Sequence, residues 1–214
     1  MDKRNIRNSD ATSWEEVILI YTSALKAIET KLEILNNEFQ HVHSYNPIEH
    51  IKSRIKTSSS IVKKLKKNGH EATIENMVEH VNDIAGVRII CSFTSDLYAV
   101  AEMLASQSDL EVISVKDYIK SPKPSGYRSF HMLVRVPIYL SNRIESVKVE
   151  IQIRTVAMDF WASLEHKINY KFEGNVPEHV RNELIECADK SAELDAMMLS
   201  LNEEVNQIKV EKQE

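Results

Sequence analysis

The sequence offers no disulfide framework, no secretory signal and no membrane span. Its two cysteines, Cys91 and Cys187, stand far apart, which is typical of a protein in a reducing compartment. The N-terminal segment MDKRNIRNSD has no apolar stretch of the kind that secretory signals carry, and no run approaches the ~18 apolar residues of a membrane span. We therefore expect a cytoplasmic protein without a membrane partner.

Glycine is also scarce, with four residues in 214. Neither standard glycine-rich phosphate loop, GxxxxGK[ST] or GxGxxG, occurs, so side-chain cations would have to hold the phosphates of a bound nucleotide. Four glycines and five prolines leave little material for flexible linkers, which favours one domain over residues 1–214. The net charge of −5 argues against a general nucleic-acid binder, and we expect neither DNA nor RNA as a partner.

Apolar periodicity indicates a mixed fold. A four-and-three spacing from Trp14 to Phe39 predicts a long helix within 14–45, with Ser13 as its cap and Glu16 completing a capping box. Runs rich in β-branched residues predict four strands, over 84–93, 110–119, 130–140 and 147–156. Together these elements predict an α+β (mixed α/β) core over 46–172, in which helices cover a central mixed sheet of about five strands.

A second long helix is predicted over residues 177–210. Its apolar residues follow the heptad spacing of helices that pack against a partner helix. They are Val180, Leu184, Cys187, Leu194, Met198, Leu201, Val205 and Ile208. We interpret this segment as an oligomerisation helix; the alternative is that both terminal helices simply cover the sheet.

Polar and apolar residues alternate in the strand over 147–156. Valine and isoleucine fall on one face, and Glu150, Gln152 and Arg154 on the other. An ordinary solvated strand face has the same pattern, but a carboxylate in a cleft can hold a divalent cation or accept a proton from a hydroxyl. Asp83, directly before the run IAGVRII, offers a second carboxylate, or else simply caps a turn.

Several cations and one aromatic residue complete the candidate chemistry. Residues 52–67 include seven basic residues and no acidic one, which suits polyphosphate binding but also a solvated helix face. Arg88 lies within an apolar strand, where a charge is costly unless it is paired or functional; its guanidinium can stack on a base or pair with phosphate. In the loop SPKPSGYRSFH, Tyr127 offers a stacking surface, and we interpret Arg128 as structural.

Four motifs in this order resemble the synthetase domain of the RelA/SpoT family. They are DIAGVRI (83–89), GYRSFH (126–131), VEIQIRT (149–155) and DFWASLEHKINYK (159–171). The length and the long terminal helices resemble the family's single-domain branch, the small alarmone synthetases. The resemblance implies a nucleotidyltransferase-like fold and a Mg²⁺-dependent GTP pyrophosphokinase, which transfers the β,γ-pyrophosphoryl group of ATP to the 3′-hydroxyl of GTP or GDP and releases AMP.

The resemblance also implies roles for individual residues. Asp83 and Glu150 would bind Mg²⁺, and Glu150 would activate the 3′-hydroxyl. The ATP-binding residues would be a pair that sandwiches the adenine, Arg54 and Arg88, and a set that grips the phosphates, Lys56, Lys64 and Lys67.

On the acceptor side, Tyr127 would stack on the guanine of GTP or GDP. Lys123 and His131 would hold its phosphates, and Gln152 would line the site. Asp159 is also expected there, although a number of relatives have asparagine at this position.

Two further expectations follow from the resemblance. The family suggests a homotetramer, and the absence of the His-Asp dipeptide that the longer relatives use for hydrolysis predicts synthesis alone. The alternatives that remain open are another Mg²⁺-dependent nucleotidyltransferase that releases pyrophosphate, and a non-catalytic module, either a single-stranded RNA binder or a helical scaffold.

Overall fold

The computed structural model describes residues 13–43, 45–172 and 175–211, so the predicted domain of residues 1–214 extends beyond the described ranges. Six helices and five strands form within them. In chain order they are α1 (Trp14–His41), β1 (Ile48–Ile55), α2 (Ser58–Lys67), α3 (Ile74–His80), β2 (Ala85–Cys91), α4 (Thr94–Ala105), β3 (Glu111–Asp117), β4 (Phe130–Tyr139), β5 (Ile144–Thr155), α5 (Val156–Lys171) and α6 (Glu178–Glu211).

The five strands form one mixed sheet in the order β1-β2-β5-β4-β3. Strands β2 and β5 are parallel, and the other neighbouring pairs are antiparallel. The α+β class and the five-stranded mixed sheet are therefore confirmed. Four of the strands match the predicted segments; β1 adds the fifth, at an edge of the sheet where four of its eight residues are charged or histidine.

One face of the sheet is apolar and carries α1. Val149, Ile151 and Ile153 of β5 are fully buried on this face, as are Ile28 and Leu32 of α1. Each buried aliphatic side chain of this size contributes about 1.5–3 kcal/mol to folding. Helix α1 thus anchors the sheet from one side and leaves the other side available for polar residues.

The start of α1 differs in one detail from the prediction. The Ser13 hydroxyl accepts a hydrogen bond from the Glu16 backbone N–H at 3.1 Å, as a helix cap does. The Glu16 carboxylate instead forms an ion pair with Arg143, which precedes β5. The predicted capping box is therefore wrong, because a guanidinium offers that carboxylate a charged partner. The helix also ends at His41, before the predicted boundary.

Helix α2 begins at Ser58, behind the cap residue Thr57, and Gly69 follows its end with a left-handed φ of 79°. Helix α3 was not predicted from the sequence. Seven residues with one fully buried side chain, Met77, give too short an apolar pattern to reveal a helix.

Helix α6 is packed mainly through its first half. Leu184 and Ala188 lie against Trp161 of α5, and the Trp161 indole donates a hydrogen bond to the Leu184 carbonyl at 2.8 Å. Beyond that contact, the helix exposes a series of large apolar side chains: Leu194, Met197, Met198, Leu201, Val205 and Ile208. The alternative that the terminal helices cover the sheet therefore describes α1 but not this half of α6. Within the described ranges, no helix is both long and apolar enough to cross a membrane.

Candidate functional site

Strand register brings the predicted residues of three strands onto the polar face of the sheet. Arg54 of β1 lies opposite Gly86 of β2, and Gly86 lies beside Glu150 of β5. One step along, Arg88 lies beside Gln152. Residues paired across strands point to the same face, so this row faces away from α1.

The glycine in this row leaves a gap in the polar face. A Cβ atom at Gly86 would meet only the Glu150 carbonyl oxygen, at the ordinary contact distance of 3.9 Å. No side chain therefore stands between Arg54 and Glu150. The gap opens the floor of the site to a ligand between the β1 cations and the β5 carboxylate.

Two lysines converge on Asp83 beside this floor. Lys56 Nζ lies 2.8 Å from one carboxylate oxygen of Asp83, and Lys64 Nζ lies 2.7 Å from the other. Lys56 follows β1 directly, whereas Lys64 projects from α2. We call Asp83, Lys56 and Lys64 the lysine cluster. Burial alone would raise the pKa of Asp83, but the hydrogen bonds from both lysines hold it below its usual value, so the carboxylate is ionised at neutral pH.

Glu150 is the second carboxylate of the site. Gln152 Nε2 donates a hydrogen bond to it at 2.8 Å, and His131 Nδ1 lies 3.6 Å from its other oxygen. Burial would raise the pKa of Glu150, but the contacts with His131 and Gln152 outweigh burial and lower it. The negative charge of Asp83 acts in the opposite direction, as a neighbouring carboxylate does.

A closed ring of side chains extends from Glu150 across β5 and β4, and we call it the polar ring. Arg154 Nη2 donates to Gln152 Oε1 at 3.2 Å and to the Tyr127 hydroxyl at 2.8 Å. The Tyr127 oxygen lies 2.8 Å from His131 Nε2. Because Arg154 can only donate, the Tyr127 proton is free to bond Nε2. In a neutral imidazole this leaves the Nδ1 proton facing Glu150.

Asp159, in the first turn of α5, joins this ring to Arg88. Its Oδ1 accepts hydrogen bonds from Arg88 Nη1 at 3.0 Å and from Arg154 Nη1 at 2.9 Å. Arg88 is therefore paired, as a charge within a mainly apolar strand requires. Its predicted stacking on adenine and the predicted contact of Asp159 with the acceptor nucleotide stay predictions.

The loop before β4 presents Tyr127 to the site. Lys123 Nζ lies 4.8 Å from the centroid of the Tyr127 ring and 4.7 Å from that of Tyr118, within the range of cation–π contacts. Gly126 has a φ of 86°, and a Cβ there would lie 2.6 Å from the Ala188 Cβ of α6. Only glycine therefore allows both this turn and the close approach to α6.

Arg128 points away from the site, as predicted. It donates to the Ala188 carbonyl at 3.2 Å and pairs with Asp189 at 3.1 Å, both on α6. The guanidinium therefore fastens the loop to the helix.

Two residues of the site were not singled out from the sequence, and one predicted residue stays apart from it. Arg154, which is 4% exposed, was noticed only as part of the alternation in β5. Tyr118, which packs edge-on against Tyr127 and His131, gave no signal at all. Lys67 lies exposed at the end of α2, and its predicted contact with phosphate stays a prediction.

The carboxylates fit a hard cation that keeps most of its shell for other ligands. Within the described residues, no group of three or more histidine, cysteine, aspartate or glutamate side chains could hold a metal ion. Asp83 and Glu150 are a pair of ionised oxygen donors, and Mg²⁺ is usually held by one or two carboxylates together with water and substrate phosphates.

Fold and site together define an α+β protein whose open mixed sheet carries two carboxylates, a lysine cluster and a buried polar ring. Residues 53–175 match the family described as "Region found in RelA / SpoT proteins". The chain belongs to this family, and the match covers the lysine cluster, the polar ring and Asp159.

The chain is also similar, over about nine tenths of its length, to individual relatives and solved structures. GTP pyrophosphokinase YwaC of Bacillus subtilis is 52% identical over 193 residues, which cover 90% of this chain and 92% of the relative. The structure of small alarmone synthetase 2 from Bacillus subtilis covers 89% of this chain and 98% of its own, with a TM-score of 0.82 at 50% identity. Small alarmone synthetase 1 from the same organism, bound to its product pppGpp, has a TM-score of 0.84 at 36% identity and covers 91% of this chain and 99% of its own.

Proposed function

We propose that this protein is a GTP pyrophosphokinase that synthesises the alarmones pppGpp and ppGpp. The β,γ-pyrophosphoryl group of ATP is transferred to the 3′-hydroxyl of GTP or GDP. A bond forms between O3′ and the β-phosphorus, the bond between the β-phosphorus and the oxygen bridging to the α-phosphorus breaks, and AMP leaves. The observation that carries the proposal is that the lysine cluster with its ionised Asp83 and the polar ring with its ionised Glu150 lie on one sheet face, in a chain similar over most of its length to GTP pyrophosphokinases.

The lysine cluster suits the donor nucleotide. Lys56 and Lys64 each reach Asp83 through one ammonium group, and a triphosphate offers those groups more negative charge than one carboxylate does. Arg54 and Arg88 flank the Gly86 gap on the same face and can enclose a base there. Phosphoryl transfer depends chiefly on positioning and charge neutralisation, which such cations supply.

The polar ring suits the acceptor nucleotide. The flat Tyr127 ring offers guanine a stacking surface, and Lys123 and His131 lie beside it to meet phosphates. The depressed pKa of Glu150 keeps it ionised and able to accept the proton of the 3′-hydroxyl. Gln152 holds the carboxylate from the other side and limits its rotation.

Magnesium completes the proposal. Asp83 and Glu150 would hold it, and the bound ion would neutralise charge on the phosphates during transfer. Asp83 would exchange its lysine partners for the ion, which frees both ammonium groups for the phosphates of ATP. Omitting Mg²⁺ or adding a chelator should abolish turnover.

A product assay tests the function. The protein is incubated with ATP, Mg²⁺ and either GTP or GDP, and the nucleotides are separated. The proposal predicts AMP together with pppGpp or ppGpp; release of pyrophosphate would favour another nucleotidyltransferase, and absence of both product sets with both acceptors would refute the proposal.

A homotetramer is part of the proposal. Three apolar residues of α6 that follow the heptad spacing, Leu194, Met198 and Leu201, are 49–54% exposed. A second copy of the chain is the partner that the heptad pattern favours. Light scattering should show a tetramer for the wild-type protein and a smaller species for Leu201→Glu. A monomeric wild type would refute the proposed tetramer.

We also propose a cytoplasmic location. The proposed substrates, ATP and GTP or GDP, are cytoplasmic nucleotides. Cys91 and Cys187 are both free thiols, which is typical of a reducing compartment.

A further inference from the structure

The Asp159 carboxylate stands between the two nucleotide sites that we propose. Its Oδ1 atom accepts one hydrogen bond from Arg88, which belongs to the proposed adenine site. The same atom accepts another from Arg154, whose second terminal nitrogen bonds the Tyr127 hydroxyl of the proposed guanine site. A single oxygen therefore connects one side chain from each site.

The charges of the three side chains favour this connection. Burial and the positive charge of Arg154 lower the pKa of Arg88, whereas the Asp159 carboxylate raises it. The two guanidinium groups repel one another, and the carboxylate between them offsets that repulsion. Arg154 is 4% exposed and cannot turn towards water. If Arg88 moves, Arg154 loses a repelling neighbour and shares the Asp159 carboxylate with no second guanidinium.

In the part of the chain that the structure describes, the Nε atoms of Arg88 and Arg154 do not help to hold the two side chains in place. Among the described residues, neither Arg88 Nε nor Arg154 Nε has a hydrogen-bond partner. Both guanidinium groups are therefore held through their terminal nitrogens. Within the described residues, the salt bridge of Arg88 is the one with Asp159. A ligand that moves Arg88 therefore also disturbs the bond between Arg88 and Asp159.

We infer that Asp159 is a positioning residue that couples the two nucleotide sites, by holding Arg88 and Arg154 in one hydrogen-bonded unit. ATP bound at Arg88 then orders Tyr127 for the acceptor, and the acceptor orders Arg88 for ATP by the same factor, as linkage requires. The inference rests on the proposed function. It gives Asp159 a task that does not depend on contact with guanine.

Binding measurements test the coupling without turnover. The affinity of α,β-methylene ATP, in which the bond to be broken is blocked, is measured by calorimetry with Mg²⁺, first alone and then with saturating GTP. For the wild type we expect GTP to tighten analogue binding by about fivefold or more. For Asp159→Asn, which keeps the shape and removes the charge, we expect the factor to fall below about twofold.

Two further variants separate coupling from folding. Asp109→Asn makes the same substitution in the exposed ion pair with Lys31 and should keep the wild-type factor. Tyr127→Phe keeps the aromatic surface but removes the hydroxyl that Arg154 binds, so it should also lose the coupling. In steady-state kinetics, the KM for ATP should fall with rising GTP in the wild type and stay constant in Asp159→Asn, a difference that a lower folded fraction cannot produce.

The outcomes are distinguishable from failure of the proposed function. A wild type that makes AMP and pppGpp but has a coupling factor near one overturns the inference alone. The inference is also overturned if folded Asp159→Asn keeps the wild-type coupling factor. If Asp159→Asn does not fold, a wild-type coupling factor in Tyr127→Phe overturns it instead. Absence of both products from the wild type instead refutes the function on which the inference rests.

Discussion

The lysine cluster and the polar ring occupy the same sheet face, but different interactions hold their side chains in place. Lys56 and Lys64 are long side chains that each make one charged contact, both to Asp83. Members of the polar ring each contact two others, and Arg154 at its centre is almost fully buried. The first arrangement supplies charge that a phosphate can take over; the second supplies fixed geometry, in which loss of one member leaves its neighbours unsatisfied.

The largest effect should come from Glu150, the carboxylate of the polar ring. Glu150→Gln keeps the shape of the side chain but removes both the charge and the basicity. We expect kcat to fall by about 10²–10⁴-fold, the usual contribution of a general base, while binding of α,β-methylene ATP is largely retained. Full activity in this variant would show that neither proton transfer nor metal binding depends on Glu150.

Substitution of Tyr127 tests the geometric side. Tyr127→Ala removes the stacking surface, and stacking of a base on an aromatic side chain contributes about 1–3 kcal/mol. The KM for GTP should therefore rise about 5–150-fold, well beyond any change in the KM for ATP. Equal changes for both substrates would reduce this loop to a structural turn.

Two lysines of α2 test the electrostatic side against each other. Lys64→Met removes a cation next to Asp83 and should raise the KM for ATP about tenfold or more, as expected for a charged hydrogen bond. Lys67→Met, at an exposed position, should raise it less than about fivefold. A larger effect at Lys67 would mean that the triphosphate runs along α2 and away from Asp83.

The smallest effect concerns stability and pH. Asp195 of α6 accepts a hydrogen bond from Thr155, but burial outweighs this bond and raises the pKa of the carboxyl. Ionisation therefore costs native stability as pH rises above the unfolded value of about 3.9 and through the raised folded value. Asp195→Asn should raise the Tm at pH 7 by roughly 2–4 °C.

Below about pH 3.9 the carboxyl is protonated in both the folded and the unfolded state, so the gain should disappear there. Thermal melts of both proteins across this range check the sign. A variant that is less stable than the wild type at pH 7 would show that the Thr155 contact requires the charge.

The fold was predictable wherever one face of an element is buried. Strand β5 alternates strictly, and Val149, Ile151 and Ile153 are buried as the pattern predicts. Strand β1 was missed because an edge strand with exposed charges carries no such alternation. The first-turn contact of Glu16 was mistaken for a capping box because Arg143, 127 residues away, is its actual partner.

For the site, residue types were more predictable than their connections. The sequence indicated the carboxylates, the basic segment and Tyr127, since each stands out by composition or position. The convergence of Lys56 and Lys64 on Asp83 depends on how α2 packs beside β1, and the polar ring depends on the register between β4 and β5. Arg154 is buried by that register, which explains why a local pattern did not single it out.

The fate of the individual phosphates of ATP tests the central claim most directly. ATP labelled at the α-phosphate or at the γ-phosphate is incubated in parallel with GTP, Mg²⁺ and the protein. The account predicts that the α-label appears in AMP alone and the γ-label in pppGpp alone. An α-label in the guanine nucleotide, or pyrophosphate that carries the γ-label, would contradict transfer of the β,γ-pyrophosphoryl group.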